Sequence, residues 1–455
     1  MGSRIAITGG DVATDGGVLP GATLVMRDGI IEGIESRGAD VPDAIVWEAH
    51  GCVVLPGLVN AHAHGCTTGP LFSSAAPALT SGIAEANIAR HRDAGVTTVV
   101  NVCGLGLPEE IPTADIDVLL ATTHLSSAFI AADAVDGSAL TPAHRAMTAE
   151  RMLATGAVLI GEVGSGATLG GGVAAYRYIP AALLAETGVA LDADEVTSLI
   201  DALVGGSRLD EPDSQRLLSA MADLGIDEQA LPATRDAILR FAVAPVRASL
   251  DSFAEAVHLA EMTGAPAMFH AAQPSATRLL DLARASSATL IAGHLNHPSI
   301  DDGVLLDLAR DLREAGVVID VSSLDMITAQ RLTSPECADL LAEAGMVDTL
   351  STDYAGGAWE PMLGVADRWY RRGFIDLREV ALMTATRTAD LLGLRDRGRL
   401  AEGKRSDIVV VSADDLASVR GVFVAGHSVT ETDASSSSGF MCPRPRVDRW
   451  RPVAR

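Results

Sequence analysis

Eight short apolar runs recur along this chain, most of them preceded by an amphipathic segment of helix length, and this alternation limits the fold more than any other feature. The first run leads from Cys52-Val-Val-Leu-Pro56 into Gly57-Leu-Val-Asn-Ala-His62-Ala-His64-Gly65. The others are Gly95–Val102, Asp117–His124, Gly156–Glu162, Ala267–His270, Thr289–His294, Gly316–Val321 and Val347–Asp353. Residues 82–93 and 303–314 show the intervening helical pattern well. Strands apolar on both faces and alternating with helices predict an α/β chain with a (β/α)8 TIM barrel over residues 56–394.

The step from Glu162 to His270 is several times longer than the step from His270 to His294. A crossover needs only about a dozen residues with its helix. The excess, residues 172–246, is expected to carry helices over Asp192–Val204, Glu211–Leu224 and Asp227–Val243. It leaves from the end of the fourth strand, so it reads either as a cap over the mouth or as a surface or oligomer contact.

Residues 1–55 hold short alternating runs, Arg4–Thr8, Thr23–Met26, Gly29–Ile34 and Ala44–Trp47, separated by Gly and Asp turns. They predict a small antiparallel layer. Similar runs, Ser406–Val411 and Val422–His427, return within residues 395–430. The two ends are expected to form one composite β-sandwich domain. Residues 431–455 are polar and are read as a tail outside the core.

Catalytic groups of such barrels gather at the C-terminal ends of the strands. Six candidates stand there: His62, His64, Glu162, His270, His294 and Asp353. His62 and His64, two apart on one strand, share a face. Six donors exceed what one cation takes from protein. Two divalent cations sharing Glu162 would use them all, with His62, His64 and Asp353 on one and His270 and His294 on the other. Four imidazoles and two carboxylates suit zinc best, with iron or manganese as alternatives. Cys66 lies near the first pair, but the five cysteines show no paired spacing and read as ordinary thiols.

Composition removes other classes. A formal charge of −25, from 34 basic and 59 acidic residues, argues against nucleic acid. No apolar run is long enough to span a bilayer, and the first residues lack a signal-peptide pattern, so a cytoplasmic address is expected. Lys404 is the sole lysine, which excludes a Walker-type phosphate loop and leaves little room for Schiff-base chemistry.

With these residues in place, the chain resembles the amidohydrolase superfamily, from the N-terminal β layer through Pro56–Gly65 to Gly403–Val411. Many members bridge their metals with a carbamylated lysine, whereas here Glu162 must serve, because Lys404 falls in the β domain. Glu162-Val-Gly-Ser-Gly166 and Gly293-His-Leu-Asn296 look like the enamidase branch, which opens a cyclic enamide. Gly345–Tyr354 is also similar to the branch that cleaves phosphonate-ribose triphosphates, whose first-strand pattern is not matched. The mononuclear deaminase branch has a glutamate where this chain has Gln273.

The expected activity is metal-dependent hydrolysis of a C–N bond, in a cyclic amide, an enamide or a related amide, by a hydroxide bridging two cations. Asp353 would take the proton and pass it to the leaving nitrogen. His124 would hydrogen-bond the tetrahedral oxyanion. His297, Arg177 and Tyr178 are candidates for binding the substrate. The expected partners are a small-molecule substrate and further copies of the chain, without nucleic acid or membrane. Alternatives are an N-deacetylase or phosphoester hydrolase on the same scaffold and, in another class, an inactive barrel kept as a binding or scaffold protein.

Overall fold

A computed structural model describes residues 4–164, 179–205, 211–272, 275–323, 325–327, 330–331 and 333–430. Eight parallel strands form the barrel sheet: β1 (Leu58–Ala63), β2 (Val96–Asn101), β3 (Asp117–Thr122), β4 (Leu159–Val163), β5 (Ala267–His270), β6 (Leu290–Gly293), β7 (Val318–Ser322) and β8 (Thr349–Ser351). They are ordered consecutively from β1 to β8. Strand-to-strand pairing stops short of joining β8 to β1, and backbone bonds at the mouth complete the circle. Asp353 N–H donates to His62 O at 2.8 Å, and His64 N–H donates to Tyr354 O at 2.8 Å. The last gap is therefore bridged by the backbone of the histidine pair itself, bonded to Asp353 and Tyr354.

The strands are apolar on both faces because both are covered. Val99, Ile160, Phe269, Leu290 and Ile319 pack into the large core that includes helix residues. Their neighbours Val100, Leu159, Met268 and Ile291 form a second cluster with Val59 and Ala61. Alternate residues of one strand thus serve two cores, which is the pattern of a barrel filled with side chains.

The ends of the chain build a separate mixed sheet. Strand Cys52–Pro56 lies between strand Arg4–Thr14, parallel to it, and strand Ile408–Ser412, antiparallel to it. Two expectations are corrected here. Cys52–Pro56 is not the start of the barrel strand but the middle of this sheet, and the barrel strand begins only after Gly57. The layer is also not purely antiparallel, because Ala44–Glu48 crosses back to pair parallel with Arg4–Thr8. Strand Arg4–Thr14 changes partner along its length, from Ala44–Glu48 to Cys52–Pro56, with register shifts against its other neighbour. Gly57 joins the two domains where a side chain would not fit, since a Cβ there would come within 2.4 Å of Thr97 Oγ1.

The described part of the insertion is helical but divided differently from expectation. Asp192 caps Ala193–Val204, its carboxylate accepting from Glu195 N–H at 2.9 Å, and Asp213 caps Ser214–Asp223. The expected single helix over Asp227–Val243 is a 3-10 turn, a helix Leu231–Ile238 and a π-turn Leu239–Val243. This runs without a break into the 20-residue helix Ala244–Thr263 ahead of β5. A further helix, Ile179–Thr187, went unforeseen, since its apolar residues lack strong periodicity. These helices bury Leu183, Leu199, Leu203, Leu217, Met221 and Ile238 in a core of their own. Among the described residues no helix is long and apolar enough to cross a membrane.

Candidate metal centre

All six strand-end candidates converge, and Glu162 is at their middle. Its Oε2 lies 3.4 Å from His62 Nε2 and 3.5 Å from His64 Nε2. Its Oε1 lies 3.0 Å from His270 Nδ1 and 2.8 Å from His294 Nε2. Asp353 Oδ1 joins the first group, 3.2 Å from His62 Nε2 and 3.3 Å from His64 Nε2. His270 Nδ1 and His294 Nε2 are 2.9 Å apart. One carboxylate thus turns each oxygen to a different pair of imidazoles.

The local backbone explains how short strands present these groups. Gly161 allows β4 to press against β5, since a Cβ there would come within 2.7 Å of Met268 O, and its φ of +149° suits glycine. His294 and Asp353 adopt positive φ angles of 40° and 52°, which side-chain-bearing residues rarely hold. Such strain persists where surrounding structure imposes it and concentrates at functional sites. Asn60 and Thr352 clamp β1 to β8 beneath the cluster: Asn60 Nδ2 donates to Thr352 Oγ1 at 2.8 Å, and Thr352 Oγ1 donates to His62 O at 3.1 Å. His64 is flanked by Cys103, with Sγ 3.5 Å from Nδ1.

The donor set fits a divalent cation. His62 Nε2 is buried and makes no well-formed hydrogen bond, although two carboxylate oxygens lie within 3.4 Å. Atoms bound to zinc at 2.0–2.1 Å in a tetrahedron sit about 3.3 Å from one another, so these spacings suit ligands of a shared centre better than hydrogen bonds. Electrostatics agree. Burial alone would lower the His62 pKa, but the charges of Asp353 and Glu162 outweigh it and hold the imidazole up at about 10. His64 is likewise raised, its bonds to Asp353, Cys103 and Glu162 overcoming burial. Burial opposes ionisation of Glu162 and Asp353, yet the charge of His62 and the surrounding imidazole bonds drive both carboxyls well below their usual range. A pocket that collects positive charge so strongly is suited to a metal ion.

The remaining candidates fall differently. His297 stands against the second pair, its ring centroid 5.4 Å from that of His270 and 5.6 Å from that of His294. Burial, then the charges of those two rings, lowers its pKa well below the ordinary value. His124 lies two residues beyond β3, where Thr122 Oγ1 is 3.0 Å from Nδ1 and Phe129 packs edge-on. Its Nε2 is buried without a hydrogen-bond partner among the described residues, and burial followed by the charge of His144 brings its pKa to about 4. Arg177, Tyr178, Gln273, Ser165 and Gly166 lie outside the described residues. Cys66 is buried beside His64 rather than among the ligand atoms, and burial pushes its thiol up to about 12.

Sequence reasoning missed Asn60, Cys103, Asp320 and Thr352. Asn60 and Asp320 carried a signal that went unused, being polar residues in the interior of otherwise apolar strands. A narrow crevice beside Glu162 is lined by Ser74, Thr123, Gly164, Ser249 and Ser252. The last two belong to the long helix that closes the insertion, so its base borders the cluster.

The family model described as "Amidohydrolase family" matches residues 233–429. That span holds His270, His294, Asp353 and the returning β strands, but not His62, His64 or Glu162. No curated protein matches the sequence. The fold is shared with solved structures. A β-aspartyl dipeptidase from Fervidobacterium islandicum AW-1 has a TM-score of 0.53 at 14% identity, covering 97% of this chain and 100% of that one. An L-hydantoinase (dihydropyrimidinase) from Arthrobacter aurescens has 0.53 at 15%, covering 95% and 96%. A dihydropyrimidinase from Brevibacillus agri NCHU1002 has 0.51 at 16%, covering 94% and 95%. The family match, alongside this barrel and its strand-end donors, makes the chain similar to the amidohydrolase family over residues 233–429.

Proposed function

We propose that this chain is a hydrolase that holds two divalent cations, zinc foremost, and cleaves a C–N bond in a cyclic amide or enamide-like substrate. The single observation that carries the proposal is the division of Glu162, with Oε2 facing His62 and His64 and Oε1 facing His270 and His294. His62, His64 and Asp353 would hold one cation and His270 and His294 the other. Bound there, the cations would lower the pKa of water toward neutrality and polarise a carbonyl.

The protein's own groups do the rest. Asp353 Oδ1 sits at the edge of the cluster with its carboxyl ionised, so it can accept the proton of the attacking water and return it to the leaving nitrogen. At His124, the Thr122 hydroxyl accepts from the His124 backbone N–H at 3.3 Å and can therefore donate to Nδ1. That leaves the proton on Nε2, the nitrogen without a partner, which suits it to a developing oxyanion. His297, beside the second pair, is placed to touch substrate. The insertion, whose base borders Glu162, would shape the substrate's entry.

Hydantoinase and dihydropyrimidinase among the proteins of this fold support a cyclic substrate, and β-aspartyl dipeptidase marks a linear competitor. The enamidase-like motif points the same way as the former. The enzyme is proposed to be cytoplasmic. It would act on a small molecule as a homo-oligomer, which light scattering can check.

The test is a panel of hydantoins, lactams, cyclic enamides, N-acyl compounds, β-aspartyl dipeptides and phosphoesters. It is assayed with protein loaded with zinc, iron(II) or manganese(II) and its metal content measured. About two equivalents per chain and chelator-sensitive opening of a cyclic amide are expected. Protein that binds no metal, or that turns over only phosphoesters, would defeat the proposal.

A further inference from the structure

Asp320 is a fully buried acid inside β7 that none of the roles above employs. Three neutral donors surround it. Thr349 Oγ1 donates to Oδ1 at 2.7 Å, Ser351 Oγ to Oδ2 at 2.6 Å, and the backbone N–H of His294 also donates to the carboxylate. Neutral donors satisfy its lone pairs but do not neutralise it, and an unpaired buried charge is costly. Burial accordingly raises its pKa, and the group whose charge opposes that rise is His62.

His62 has the complementary need. An imidazole that ligates through Nε2 keeps its proton on Nδ1, and that proton requires an acceptor. Nδ1 of His62 is buried without a hydrogen-bond partner among the described residues, and Asp320 Oδ2 lies 4.0 Å from it. A shift of about 1 Å would bring the two within hydrogen-bond distance. The remaining face of His62 meets Glu162 and Asp353 through Nε2, so the two ring nitrogens confront carboxylates on opposite sides.

We infer that Asp320 is the positioning residue of His62: its carboxylate holds the proton on Nδ1 and turns Nε2 toward the cation. The inference rests on the metal-centre reading proposed above. Asp320 touches neither substrate nor reacting atoms.

The experiment titrates cobalt(II) into metal-stripped Asp320→Asn protein, read by visible absorption and chelator competition, beside the parent, Thr349→Val and Ser351→Ala. Asp320→Asn keeps the shape and removes the charge. It is expected to weaken the cation held by His62 and His64 by about 10- to 100-fold and to alter its spectrum, leaving the His270–His294 cation little changed. Thr349→Val and Ser351→Ala keep the charge and should lower the melting temperature while leaving both affinities near those of the parent. An Asp320→Asn protein that binds both cations like the parent overturns the inference, as do controls that weaken binding equally. Should Asp320→Asn fail to fold, the nitrogen-15 spectrum of the zinc-loaded parent decides. A protonated Nδ1 on His62 is expected, and an unprotonated one overturns the inference. A parent that takes up no cation overturns the metal reading and this inference together, whereas a parent that binds while Asp320→Asn is unaltered overturns this inference alone.

Discussion

The two halves of the cluster contain the same residue type in opposite electrostatic surroundings. His62 and His64 face Asp353 and one oxygen of Glu162, and their pKa values are raised. His270 faces the other oxygen of Glu162, and burial, then the charge of His294, lowers its pKa. His297, behind that pair, is lowered further. The first half also spans the seam of the barrel, where Asn60, Thr352 and two backbone bonds join β1 to β8 directly beneath it. Burial is similar on both sides, so the placement of Asp353 makes the difference. The first half should grip a cation hard, and the second should hold one more loosely, open to a substrate carbonyl.

The largest expected effect comes from removing the group common to both halves. Glu162→Gln should abolish binding of both cations and lower turnover at least about 1,000-fold, measured by metal analysis and single-substrate kinetics. A variant retaining two equivalents would show that the halves do not depend on a shared carboxylate. Asp353→Asn should keep most metal yet lose at least about 100-fold in turnover, and near-normal activity would remove Asp353 from proton transfer.

Unequal losses would sharpen the contrast. His270→Ala should leave about one tightly bound equivalent, whereas His62→Ala should strip the tighter one, as read by chelator competition. The same asymmetry sets a pH dependence. Without a cation His62 stays protonated up to about pH 10, so a cation must displace that proton and bind more tightly as pH rises. The gain should approach tenfold per pH unit for each proton released, measurable from pH 6.5 to 8.5. A flat profile would mean that His62 is neutral before metal arrives.

The smallest effect concerns His91, which packs against Tyr354 and Trp359 behind the β1–β8 junction. Burial pushes its pKa down to about 4, with only the Asn87 carbonyl opposing. The unfolded chain binds a proton near pH 6.5, so the contribution of His91 is fully present above that pH. It is lost as pH falls toward 4, at no more than about 1.4 kcal/mol per unit. Urea unfolding of the metal-free protein should show this slope, and His91→Phe should flatten it.

Much of this architecture was legible beforehand because hydrophobic periodicity is local. Each apolar run between Gly57 and Asp353 announced a strand, and five of the eight ended on a group of the proposed metal set. Cys52–Pro56 was less transparent, because an apolar pentapeptide reads alike whether it pairs in a barrel or in a neighbouring sheet. Helix Ile179–Thr187 was hidden for a related reason, its alanines and leucines giving no amphipathic stripe. Asn60, Cys103, Asp320 and Thr352 could not be assigned, since each acts on a partner that is distant in sequence, as Asn60 does on Thr352.

By itself the sequence determined the alternation of strand and helix, the six donors and their arrival at a common rim, because side-chain period and strand polarity are properties of neighbours along the chain. Only the tertiary structure decided which oxygen of Glu162 meets which histidine, that the barrel closes through the backbone of His62, His64, Asp353 and Tyr354, and that Asp320 lies behind His62. Those relations depend on distances of a few ångströms between residues separated by up to 292 positions, as for Asn60 and Thr352. No local pattern encodes such distances; the packed barrel does.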